Sequence, residues 1–67
     1  MYINLLKVME REGVTAAEVA EAAGVALKDA ERILLGGGSF SIEQAFGIRR
    51  RLFEDCAVGW LFETAGG

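Results

Sequence analysis

Two cations in the segment "LKDAERIL", Lys28 and Arg32, stand four residues apart, a spacing that puts them on one face of a helix. Either can donate hydrogen bonds to a phosphate oxygen or to the O6 and N7 acceptors of a guanine. The interleaved Asp29 and Glu31 keep a second reading open, in which the four charges form an ordinary solvated face. Little other chemistry is on offer. Cys56 is the single cysteine and the sequence has no histidine, so no activated thiolate can be assembled. No G-x-S-x-G is present, and no strand precedes and no G-K-[ST] follows the triple glycine Gly36 to Gly38, so it is not a nucleotide loop. Metal ligands are lacking, no cofactor is implied, and Cys56 is expected as a small core residue. The chain is read as a non-enzyme.

Such side chains need short helices to carry them. Sixty-seven residues can hold one small core and no second one. Proline is absent and hydrophobic residues make up 52%, a composition that favours a compact bundle of short helices. A lone cysteine excludes an internal disulfide and makes the cytosol the default compartment. No cationic leader precedes a long apolar run and no window approaches 18 apolar residues, so neither export nor membrane spanning is expected. Net charge is −3, which disfavours non-specific polyanion binding.

The periodicity predicts five helices in a single domain over 1–67. Leu5, Leu6 and Met9 recur at helical spacing from Ile3 to Glu12, and Gly13 offers a left-handed stop. Thr15 with Glu18 has capping-box spacing and starts a second helix that runs to about Ala23. A third covers roughly Leu27 to Leu35 and ends at the triple glycine. Ser41 with Gln44 repeats the capping box, and Ile42, Ala45, Phe46, Ile48, Leu52 and Phe53 lay an apolar stripe along the longest helix. Gly47 within it costs about 1 kcal/mol relative to Ala, so it either permits close packing or is simply tolerated. Ala57, Val58, Trp60, Leu61 and Phe62 suffice for a short fifth helix, with residues 64–67 expected to fray.

Two helices crossing steeply need a small residue at the contact, a glycine at the corner and apolar anchors on the second helix. Ala20, Gly24, Ala30 and Ile33 supply these in order. With "TAAEVAEAAGVA", "LKDAERILLGG" and "FSIEQAFGIRRRLFEDCAVGWLF" around that corner, most of the chain resembles the Cro/repressor-type (XRE-family) helix-turn-helix domain, in its short phage or prophage-encoded branch. The resemblance implies an all-α, compact five-helix bundle of the lambda-repressor-like type, with the helix-turn-helix core at about 15–35.

It further implies a sequence-specific transcriptional regulator, repressor-like, that binds double-stranded operator DNA in the host cytoplasm at the nucleoid. In such domains the start of the second helix docks a phosphate and the third helix lies in the major groove. Carried over, this assigns Thr15 and Ala16 at the second helix, Leu27, Lys28, Asp29, Glu31 and Arg32 at the groove, Ala26 at the cap, and Gly37 and Gly38 after it. Leu27 can press on a thymine methyl, or serve a protein contact. Ala16 and Ala26 replace the usual glutamine and serine, and two contacts go with them. Gly37 and Gly38 can offer backbone N–H groups to a phosphate or act as a flexible connector.

Arg49, Arg50 and Arg51 concentrate the remaining positive charge but cannot all face one way. Residues 36–53 carry a net +2 and residues 54–67 a net −3, so the acidic end can sit away from DNA. Weak half-sites imply a homodimer on a palindrome, with Trp60, Leu61 and Phe62 as interface candidates, although core closure competes for at least two of them. The alternative is a helix-turn-helix fold that has given up DNA and serves as a protein–protein interaction module.

Overall fold

The computed structural model describes residues 1–64 and, among them, five helices and no strand. They are α1 (Ile3–Glu12), α2 (Ala16–Ala23), α3 (Leu27–Leu34), α4 (Ile42–Leu52) and α5 (Val58–Leu61). All five lie where the apolar periodicity predicts them. The one trimmed end is at Leu35, which is the C-cap of α3 and 77% exposed. The frayed end expected over 64–67 falls, from residue 65 on, outside the described residues.

The first two corners are built alike. Gly13 and Gly24 adopt φ of 69° and 73°, the left-handed conformation that glycine reaches without a Cβ penalty. The valine after each glycine then donates its N–H backwards, Val14 to the Met9 carbonyl at 2.9 Å and Val25 to the Ala20 carbonyl at 3.0 Å. The caps beyond these valines differ. Thr15 completes a capping box with Glu18, whereas Ala26, at the same offset in "GVALKD", caps α3 with no side chain at all. Without a side-chain acceptor, the Asp29 N–H turns to the Ala26 carbonyl at 3.0 Å, and the Leu27 and Lys28 N–H groups have no acceptor among the described residues. Ser41 and Gln44 close the second capping box at the start of α4.

The core is centred on Leu5, Val8, Val19, Ile48 and Leu61, all fully buried, and Ala30 is fully buried as well. Gly47 lies in the seam between α2 and α4, where a Cβ would come within 2.9 Å of the Ala22 carbonyl oxygen. Close packing is thus the reason for a glycine in mid-helix. The apolar stripe of α4 is wider than the core can cover: Ile48 and Phe53 are buried, whereas Ile42 is 76% and Phe46 45% exposed. α4 packs against α2 and α5, and the part of its stripe that carries Ile42 and Phe46 stays in water.

An aromatic cluster joins the chain's beginning to its later half. Tyr2 stacks on Phe40 with ring centroids 5.7 Å apart, and Phe62 meets both rings edge-on. The Tyr2 hydroxyl accepts the buried N–H of Phe40 at 3.0 Å, and Asn4 Nδ2 donates to the Trp60 carbonyl at 2.8 Å. Leu61 and Phe62 thus belong to the core, as closure of so small a domain demands, and the Trp60 side chain stays outside.

Candidate functional site on the second and third helices

α3 is divided by its own periodicity. Ala30, Ile33 and Leu34 face the core, and Leu27, Lys28, Glu31 and Arg32 face solvent. The corner residues Ala20 and Ala30 are buried where α2 and α3 pack, which lets the second helix approach closely. Lys28 enters no ion pair among the described residues, so its ammonium is free to meet a ligand.

Arg32 is engaged within the chain. Its Nη1 donates to the Gly37 carbonyl at 2.8 Å, and its Nη2 lies 3.5 Å from Asp29 Oδ1. The glycine loop is moulded around this side chain. A Cβ on Gly37 would fall 2.8 Å from Arg32 Cγ, and one on Gly38 would fall 3.1 Å from Nη1. Only Gly36 of the three has a positive φ, 94°. The loop therefore needs glycine at 36 for backbone conformation and at 37 for room, and Arg32 and its loop hold each other in place.

At the start of α2, Thr15 is occupied by its own cap. Its hydroxyl accepts the Glu18 N–H at 3.2 Å and donates to Glu18 Oε1, which also accepts the Thr15 N–H at 3.0 Å. The positive end of α2 already holds a carboxylate. The Ala16 side chain is partly buried against the core and offers nothing outward. The structure thus gathers Asp29, Arg32, Gly37 and Gly38 into one cluster, with Leu27 and Lys28 one turn away on the same helix. No hydrogen bond or ion pair among the described residues links Thr15 or Ala16 to that cluster.

The arginine run behaves as three separate residues. Arg49 turns to the next loop, donating from Nε to the Cys56 carbonyl at 2.8 Å and from Nη2 to the Glu54 carbonyl at 3.3 Å. It neutralises carbonyls beyond the end of α4, where a cation also suits the helix dipole. Arg50 and Arg51 remain exposed. Cys56, expected as a small core residue, is partly buried against the core. Sequence reasoning missed the tethers of Arg32 and Arg49, because nothing in the spacing of an arginine shows which backbone carbonyl will come within its reach. It also missed Tyr2, whose single signal was an aromatic ring next to the first helix.

Among the described residues no helix is long and apolar enough to cross a membrane. Comparison of the chain with protein-family models, with curated proteins and with solved structures finds no match.

Proposed function

We propose that the chain is a sequence-specific DNA-binding regulator of the Cro/repressor helix-turn-helix type, repressor-like and without catalytic activity, acting as a dimer with α3 in the major groove of its operator. The observation that carries this reading is the partition of α3: three residues anchor it in the core, Leu27, Lys28 and Glu31 stand outward and exposed, and Arg32 stands beside them tethered to the glycine loop. A helix held from behind and bare in front has the form that groove entry requires.

The chemistry falls unevenly on that face. Lys28 is the free cation and supplies the hydrogen bonds to guanine O6 and N7 or to a phosphate, and Leu27, 47% exposed, suits a thymine methyl. Arg32 shapes the glycine loop, in which the Gly37 N–H is already spent on the Arg32 carbonyl at 2.8 Å, so of the two assigned glycines Gly38 is the one that can offer its N–H beside the same face. The bare start of α3 adds further donors. Net charge of −3 and a carboxylate at the start of α2 make the affinity of one copy low.

A second reading, a protein-interaction module of the same fold, is favoured by one observation. The Arg32 guanidinium is spent on Asp29 and Gly37, and exposed Leu27 and Leu35 flank it. Selection of genomic DNA fragments by the purified protein at low and moderate salt separates the two. The DNA reading expects enrichment of a palindromic site that fades with salt, and Lys28→Ala should weaken binding to it by about 1–3 kcal/mol. No enrichment by a folded protein would refute it in favour of the interaction module.

A further inference from the structure

α3 carries two carboxylates, and the fold treats them differently. Asp29 Oδ1 lies 3.5 Å from Arg32 Nη2 and is accounted for by that pair. Glu31 is exposed, and its side chain enters no ion pair and no hydrogen bond among the described residues. Nor does the helix favour it. Glu31 stands in the last turn of α3 (Leu27–Leu34), the negative end of the dipole, where a carboxylate is unfavourable. Nothing in the packing of the chain calls for a negative charge at this position.

Groove entry makes that charge consequential. Phosphates surround a helix in the major groove, so a carboxylate there repels DNA of every sequence unless a base donor meets it. The major groove offers two such donors, the amino groups at adenine N6 and cytosine N4. Adenine sets its N7 acceptor beside N6, where it opposes the second carboxylate oxygen. Cytosine presents N4 with no acceptor of its own in that groove, so a carboxylate selects cytosine.

Lys28 extends the argument. It stands three residues before Glu31 on the same exposed face, which sets the two Cβ atoms about 5–6 Å apart. Base pairs follow one another at about 3.4 Å along the duplex, so long side chains from these two points reach the same pair or adjacent ones. A G·C pair answers both charges: guanine O6 and N7 accept from the Lys28 ammonium, and cytosine N4 donates to the Glu31 carboxylate.

Resting on the DNA reading above, we infer that Glu31 is a specificity-determining residue. Its carboxylate accepts from the N4 amino group of a cytosine within one base-pair step of the guanine that Lys28 contacts, and it turns away sites that lack this cytosine. Lys28 supplies attraction and Glu31 supplies exclusion, the two components of discrimination.

The experiment is selection by the whole purified chain, at low salt, from a pool of duplexes with a randomised central segment. Affinities are then measured on the selected site and on versions changed at one base pair, and circular dichroism checks the folding of each variant. The wild type is expected to select a cytosine within one step of a guanine, and to bind at least about tenfold more weakly when that cytosine is changed. Glu31→Gln should exchange the preference for adenine, because an amide pairs with N6 and N7 together. Glu31→Ala should lose discrimination at this position alone and bind the changed sites more tightly than the wild type does. Selected sites without that cytosine, or a Glu31→Gln protein that keeps the wild-type preference, overturn the inference while the DNA reading stands. So does an equal gain on every sequence in Glu31→Ala, the mark of a carboxylate that merely repels phosphates. A folded wild type that selects no sequence at all overturns both readings, so the two failures remain distinct.

Discussion

Replacing Gly47 by Ala sets two opposing effects against each other at one atom. In an exposed helix interior the change stabilises by about 1 kcal/mol, because alanine loses less backbone entropy on folding. Here the new Cβ would stand 2.9 Å from the Ala22 carbonyl oxygen, a backbone atom at the end of α2 that cannot rotate away. Ordinary carbon–oxygen contacts lie at about 3.3–3.6 Å, so α2 and α4 must part by roughly half an ångström. Val19 and Ile48, both fully buried on those two helices, would lose contact as they part. Overpacking of this kind costs about 1–3 kcal/mol. The steric effect outweighs the propensity gain, and Gly47→Ala should be destabilised by about 1 kcal/mol net, which lowers Tm by about 4–8 °C in a domain of this size. Gly59→Ala is the control: it also lies in a helix, with nothing within 4 Å of its Cβ position, and should melt at or slightly above the wild type. Thermal and urea unfolding followed by circular dichroism measures both. A Gly47→Ala protein as stable as Gly59→Ala would refute the close approach of α2 and α4.

Three further substitutions probe the parts that hold the site. Tyr2→Phe strips the buried Phe40 N–H of its acceptor while keeping the ring stack, and urea denaturation should show a loss of about 1–3 kcal/mol. Arg49→Ala removes the donor to the Cys56 and Glu54 carbonyls; hydrogen exchange should speed up in α5 before it does in α2 and α3, and equal acceleration everywhere would contradict a local tether. Ile33→Ala empties a core position behind the exposed face of α3 and should cost about 2–5 kcal/mol, enough to unfold a domain this small; an unchanged melt would mean that α3 is not anchored there.

The helices were legible because their boundaries are local. A capping box needs four consecutive residues, and Thr15–Glu18 and Ser41–Gln44 carry it whatever the rest of the chain does. A left-handed stop needs one glycine, as at Gly13 and Gly24. The buried face of α3 follows from 3.6-residue periodicity in the same way; on α1 Leu5 and Met9 are buried at the predicted spacing, but Val8 rather than Leu6 completes the inner face. On α4 that logic overreached, since periodicity shows that Ile42 and Phe46 share a side of the helix but not whether another helix covers that side.

The site itself was legible in part. The outward position of Leu27, Lys28 and Arg32 follows from the inward position of Ala30 and Ile33 on the same helix. Which of the cations is free does not. Lys28 and Arg32 look equivalent as letters, and only the path of the glycine loop gives Arg32 a carbonyl to hold while leaving Lys28 in water.

Sequence alone therefore determined the five helices, their caps and the inner face of α3, because each depends on residues within one or two turns of one another. The tertiary structure decided which side of α4 stays bare, why Gly47 must lack a side chain, and how Tyr2 reaches Phe40 across 38 positions of sequence. These are properties of the distances between segments, and a chain acquires them only when burial of its shared core brings the segments together.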